Sequence, residues 1–73
     1  MKVKIRLDTM ADVKHLVAVA SSSNGSVVVY DSAGLKVNAK STLGAIYAME
    51  FNEIWCESEE DLYKQLEPLV ILE

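Results

Sequence analysis

Ser41 has the setting in this chain that best suits a group-transfer chemistry. It follows the alternating run Leu35-Lys36-Val37-Asn38-Ala39-Lys40 and precedes Thr42-Leu43-Gly44-Ala45-Ile46, so a strand is expected to give way there to a short helix. A serine at that junction accepts a hydrogen bond from a free N–H of the first turn, a cap worth about 1 kcal/mol. The same geometry suits a phosphoserine, because the added negative charge meets the positive end of the helix. On the residues alone the cap is the simpler reading.

The other reactive side chains point to structure. His15 is the sole histidine. It lies more than a turn beyond the predicted helix start, where free N–H groups would have stabilised a phosphohistidine. A partly exposed helix residue is the plainer expectation. Cys56 is the sole cysteine. It can form no internal disulfide and has no base close by in sequence, so it reads as a small hydrophobe on a strand. A single thiol also fits a reducing, cytoplasmic compartment better than a secreted one. Glu57, Glu59, Glu60 and Asp61 lack the alternating ligands and turn glycine of a calcium loop. They are expected to serve the start of a helix, with no metal. Trp55, Tyr30, Tyr47 and Tyr63 fall on different predicted elements and read as core and rim, not as a stacking platform for bases. No phosphate-cradling glycine loop, nucleophile elbow or cofactor motif is present in the sequence, and no enzyme active site is expected.

Composition narrows the class further. The 73 residues are expected to form one domain, 1–73, of 51% apolar and 25% charged residues, an ordinary globular mix. A chain this short buries only about 60% of the surface its unfolded form exposes, so its core is thin. The net charge of −4, with seven Lys and Arg, argues against a nucleic-acid partner. Lys2, Lys4 and Arg6 are read as a solvated outer face. The longest apolar runs, Leu16 to Ala20 and Leu69 to Leu72, are too short to span a bilayer. The charged N-terminus resembles neither a signal peptide nor an anchor.

The elements that must position these residues follow from periodicity. Lys2 to Leu7 alternates, with Val3, Ile5 and Leu7 facing inward. Thr9 with Asp12 resembles a capping box, and Met10, Val13, Leu16, Val17 and Ala20 recur at helical spacing, predicting a helix over roughly 10–20. Ser26 to Tyr30 is a β-branched and aromatic strand, Asp31-Ser32-Ala33-Gly34 a tight hairpin, and Leu35, Val37 and Ala39 the inner side of its return. A helix over Thr42 to Met49, a strand over Glu53 to Glu57 and a helix capped by Ser58 complete the order. Leu62, Leu66 and Leu69 would be the last helix's buried stripe, ended or kinked by Pro68. The class is α+β, βαββαβα, with helices on one face of an antiparallel sheet.

With its flanking strand and helix, Val37-Asn38-Ala39-Lys40-Ser41-Thr42-Leu43-Gly44 resembles the regulatory-serine region of HPr, the phosphocarrier of the bacterial phosphoenolpyruvate-dependent sugar phosphotransferase system. The element order is also that family's. The resemblance implies an open-faced β-sandwich of four strands in the order 1-4-2-3 with three helices on one face. It implies that Ser41 is a phosphorylation site for HPr kinase/phosphorylase. It further implies that Met10, Thr42, Leu43 and Ile46 contact partners, namely that kinase and a catabolite-control transcription factor. The chain departs from the family at the carrier motif G-L-H-x-R-P. Thr9 stands at the histidine position and Ala11 at the arginine position, with Asp8 and Asp12 beside them to repel a phosphate. In lacking the histidine it is similar to the catabolite-repression HPr-like proteins. Two alternatives stay open: a phosphocarrier that uses His15, and a ferredoxin-like ligand-binding or oligomerising domain with strand order 4-1-3-2.

Overall fold

A computed structural model of the protein describes residues 1–72. Strand β1 (Lys2–Ile5) is followed by helix α1 (Met10–Ser22), strands β2 (Val27–Tyr30) and β3 (Lys36–Asn38), and helix α2 (Thr42–Ala48). Strand β4 (Ile54–Ser58) and helix α3 (Tyr63–Leu66), which runs into a 3₁₀ turn over Glu67–Leu69, close the chain. The sheet is antiparallel in the order β1-β4-β2-β3. Because β4 lies between β1 and β2, and β1 does not pair with β3, the ferredoxin-like alternative falls, and the expected βαββαβα architecture holds.

Alternation decides which face the helices cover. Val3, Cys56, Val29 and Val37 form one row across the four strands, and Ile5 and Ile54 form the next. These side chains meet Val13, Leu16, Val19 and Ala20 of α1, Ala45 and Ala48 of α2, and Leu62, Leu66 and Leu69 in one core. The Asp31 carboxylate closes the hairpin by accepting from the N–H groups of Ala33 (2.9 Å) and Leu35 (3.0 Å). Gly34 takes the positive φ of 95° that the turn demands.

Several boundaries differ from the periodicity. The first strand ends at Ile5, and the C-terminal segment pairs with its free side. Arg6 N–H donates to the Leu69 carbonyl, Ile71 N–H donates to the Lys4 carbonyl (2.9 Å each), and Ile5 bridges Val70. In α1, Val19 is buried, Val17 only partly so, and Met10 is exposed. The β3 strand is shorter than the alternation suggests, and Leu35 is half exposed in its turn instead of facing the core. The second helix ends at Ala48, with Met49 as its cap.

The last helix differs most from the periodicity. Ser58 is the final residue of β4, not a helix cap; its hydroxyl donates to the Glu60 carbonyl. The acids after it serve another part of the chain. Glu60 accepts from the Ser23 hydroxyl (2.7 Å) and Asn24 N–H (3.0 Å), and Glu59 accepts from Ser26 N–H (2.9 Å). These carboxylates satisfy amides of the α1–β2 connection, leaving α3 to begin four residues later than its charges suggested. Leu62, Leu66 and Leu69 are nevertheless buried, and α3 gives way before Pro68.

Leu16 is fully enclosed by the core. Leu16→Ala should therefore lower stability by about 2–5 kcal/mol in urea unfolding; a loss below about 1 kcal/mol would mean that α1 does not carry the core.

Candidate functional site

Asn38, Ala39, Lys40, Ser41 and Gly44 each have a structural reason to be there. The Asn38 side chain accepts from Lys40 N–H (2.9 Å), turning the chain out of β3. Ala39 is fully buried, and its N–H donates to the Val27 carbonyl (2.9 Å). The Lys40 ammonium donates to the Ser23 carbonyl (3.0 Å). Ser41 Oγ accepts from Gly44 N–H (3.1 Å), so the expected cap is present. At Gly44 a Cβ would stand 3.0 Å from the Asn38 carbonyl oxygen, so any larger residue would have to push α2 away from the end of β3.

Beyond the cap, α2 turns apolar side chains outward. Leu43 is 77% exposed and Ile46 37%, and Thr42 is exposed as well. Tyr47, four residues after Leu43 and so on the same helix face, is 55% exposed and packs edge-on against Phe51, with ring centroids 5.9 Å apart. The sequence reading missed Tyr47 as part of this face, although its spacing from Leu43 was the available signal. Met10 is exposed at the start of α1, which packs against α2.

The opening of α1 is occupied by the protein's own carboxylate. Asp12 Oδ2 accepts from Asp8 N–H (2.8 Å), Thr9 N–H (3.2 Å) and an Arg6 guanidinium nitrogen (3.4 Å). Asp12 N–H in turn donates to the Thr9 hydroxyl (3.2 Å), completing the capping box. The same arginine pairs with Asp8 (3.2 Å) and donates to the Pro68 carbonyl (3.1 Å). An anion at this end would thus meet the Asp12 carboxylate, which already holds the Thr9 N–H and the Arg6 guanidinium, while Thr9 caps the helix and Ala11 is exposed. The hydrogen bond from Asp8 N–H is the main reason the Asp12 carboxyl lies below its ordinary value; the Thr9 N–H and the Arg6 charge add to it.

His15 stands in the middle of α1. Its Nε2 donates to the Gln65 carbonyl oxygen at 2.6 Å, which ties α1 to α3. Cys56 is fully buried, and burial pushes its thiol up to about 11, far from a reactive thiolate at neutral pH. Among the described residues no cluster of His, Cys, Asp or Glu is placed to hold a metal ion, and no helix is long and apolar enough to cross a membrane. The chain matches no family model, no curated protein and no solved structure.

The lowered carboxyls give a signed pH dependence. The Ser23 hydroxyl, then Asn24 N–H, hold Glu60 below its ordinary value in the same way that Asp12 is held. A depressed carboxyl contributes stability that is complete above its unfolded value, 3.8 for Asp12 and 4.5 for Glu60, and is lost as pH falls through the folded value. Urea midpoints measured against pH should therefore fall less steeply below about pH 4 in Asp12→Asn than in the native chain. Parallel curves would show that this carboxylate contributes nothing to the acid limb.

Proposed function

We propose that this chain is an HPr-like regulatory module of the bacterial phosphotransferase system, switched by phosphorylation of Ser41 and without carrier chemistry of its own. One juxtaposition carries the reading. Ser41 opens α2 beside exposed Leu43 and Ile46, while the opening of α1, where a carrier histidine would stand, holds Thr9 under a capping carboxylate. The strand order and the N-A-K-S-x-L-G stretch support the same family.

Phosphorylation at Ser41 would act through charge and cover. A phosphoryl group keeps the acceptor that Gly44 N–H needs and adds negative charge at the positive end of α2, next to Lys40. That charge would sit at the border of an apolar patch formed by Thr42, Leu43 and Ile46, with Met10 on the neighbouring helix. A partner bearing basic residues around an apolar centre would then prefer the phosphorylated form. HPr kinase/phosphorylase and a catabolite-control transcription factor are the partners this reading proposes, in the cytoplasm. The reading makes the chain a binding module in sugar-transport regulation and catabolite repression, not an enzyme.

Incubation with HPr kinase and ATP, followed by peptide mass mapping, should place one phosphate on Ser41 and none on a Ser41→Ala variant. Phosphate confined to Thr42, or absent altogether, would contradict the regulatory role.

A further inference from the structure

The connection between α1 and β2 holds a second reactive group, independent of Ser41. Asn24 is followed by Gly25. Glycine has no side chain to shield its backbone nitrogen, so that nitrogen can reach the carboxamide of a preceding asparagine. The Asn24 side chain is exposed, and its carboxamide has no hydrogen-bond partner among the described residues. The attacking atom is loosely held. Gly25 N–H donates to the Ser23 hydroxyl at 3.3 Å, longer than an ordinary N–H···O bond.

Asn38 and Asn52 are better protected. The Asn38 side chain accepts from Lys40 N–H, and the N–H of the following Ala39 is committed to the Val27 carbonyl, at 2.9 Å each. Asn52 is exposed but precedes Glu53, whose side chain flanks the nitrogen that would attack and reaches the Lys4 ammonium at 3.1 Å. Packing fixes the glycine after Asn24. A Cβ at position 25 would stand 2.6 Å from Glu59 Oε1 and 3.2 Å from Glu59 Cβ, displacing the carboxylate that accepts from Ser26 N–H. The contact that requires glycine therefore also gives Asn24 its most reactive neighbour.

We propose that Asn24–Gly25 is a site of spontaneous deamidation whose isoaspartyl product unties the α1–β2 connection from the residues after β4. The Gly25 nitrogen gives its proton to solvent and bonds to Asn24 Cγ. The Cγ–Nδ2 bond breaks, and that nitrogen leaves as ammonia. Water then opens the cyclic imide. Cleavage at Cγ gives aspartate; cleavage at the main-chain carbonyl carbon gives isoaspartate, whose backbone runs through Cγ and is longer by one methylene. Nothing is oxidised or reduced, since amide and water become acid and ammonia. Either product adds one negative charge, taking the chain from −4 to −5.

The new carboxylate arises beside two others. Asn24 N–H donates to Glu60 (3.0 Å) and Ser26 N–H to Glu59 (2.9 Å), so like charges are brought together. The inserted methylene lies between those two amides and alters the spacing on which both bonds depend. Ser23, the residue before them, is held by the Lys40 ammonium on its carbonyl (3.0 Å) and by Glu60 on its hydroxyl (2.7 Å). Aspartate thus disturbs this joint through charge alone, and isoaspartate through charge and backbone together.

The test is to age the intact protein in mildly alkaline buffer at physiological temperature. Ion exchange, peptide mapping and methylation by a protein isoaspartate methyltransferase then follow the product. A more acidic species should grow in, with the amide-to-acid mass change and the methyl acceptance confined to the peptide holding Asn24. Asn24→Gln, which would have to close a larger ring, should lose both signals. The isolated isoaspartyl form should unfold at lower urea than the fresh protein, with Asn24→Asp between the two. Conversion that begins at Asn38 or Asn52 would overturn the site. So would an Asn24 that stays amidated in the folded protein while converting in urea. An isoaspartyl form with the urea midpoint of the fresh protein would overturn the untying.

Discussion

The carboxylate of Asp12 fixes one end of this molecule. It accepts from two consecutive backbone amides and from Arg6, and Arg6 also holds the carbonyl of Pro68. One side chain thereby joins the exit of β1, the start of α1 and the turn before the C-terminal segment. One of those amides, that of the cap residue Thr9, belongs to the set that a helix opening offers to an anion. The same contact that sets where α1 begins therefore leaves the opening with an internal charge. On the proposed reading, structure and loss of carrier chemistry have one cause.

The fold is secured elsewhere by similar reaches between loops. Glu59 and Glu60 leave the end of β4 and satisfy amides of the α1–β2 connection, while His15 crosses from α1 to the backbone of α3. A thin core gains little from its interior alone. These polar ties fix how the helices and loops sit over the sheet, and the packed leucines and valines supply the driving force. Among the described residues, no buried side-chain nitrogen or oxygen lacks a hydrogen-bond partner.

Features set by near neighbours were legible in the sequence. Thr9 and Asp12 are three residues apart, and the capping box forms as the spacing suggests. The Asp31–Gly34 turn, the Ser41 cap and the buried Leu62, Leu66 and Leu69 are equally local. Leu35 and Met10, exposed where the periodicity placed them inward, are local departures, and the larger errors fall where a partner is distant in the chain. Ser58 with three following acids has the pattern of a helix start, yet Glu60 bonds Asn24 and Glu59 bonds Ser26, 36 and 33 residues away. The pairing of Leu69–Ile71 with β1 and the adjacency of Trp55 and Tyr30 were hidden for the same reason. At the candidate site the sequence found Ser41 and the exposed Leu43 and Ile46, and missed Tyr47 beside them.

Asn38, Ala39, Ser41 and Gly44 are each explained by a turn, a buried contact, a cap or a close approach. The stretch that most resembles a regulatory serine region is thus also the stretch that seats α2, and a phosphoryl group there would act on a structural joint. The central claim is that regulation persists where carrier chemistry has been lost. It is tested most directly by incubating the protein with phosphoenolpyruvate and enzyme I and measuring acid-labile phosphate. The account predicts none, with His15 held in its contact to Gln65. Acid-labile phosphate mapped to His15 would contradict it.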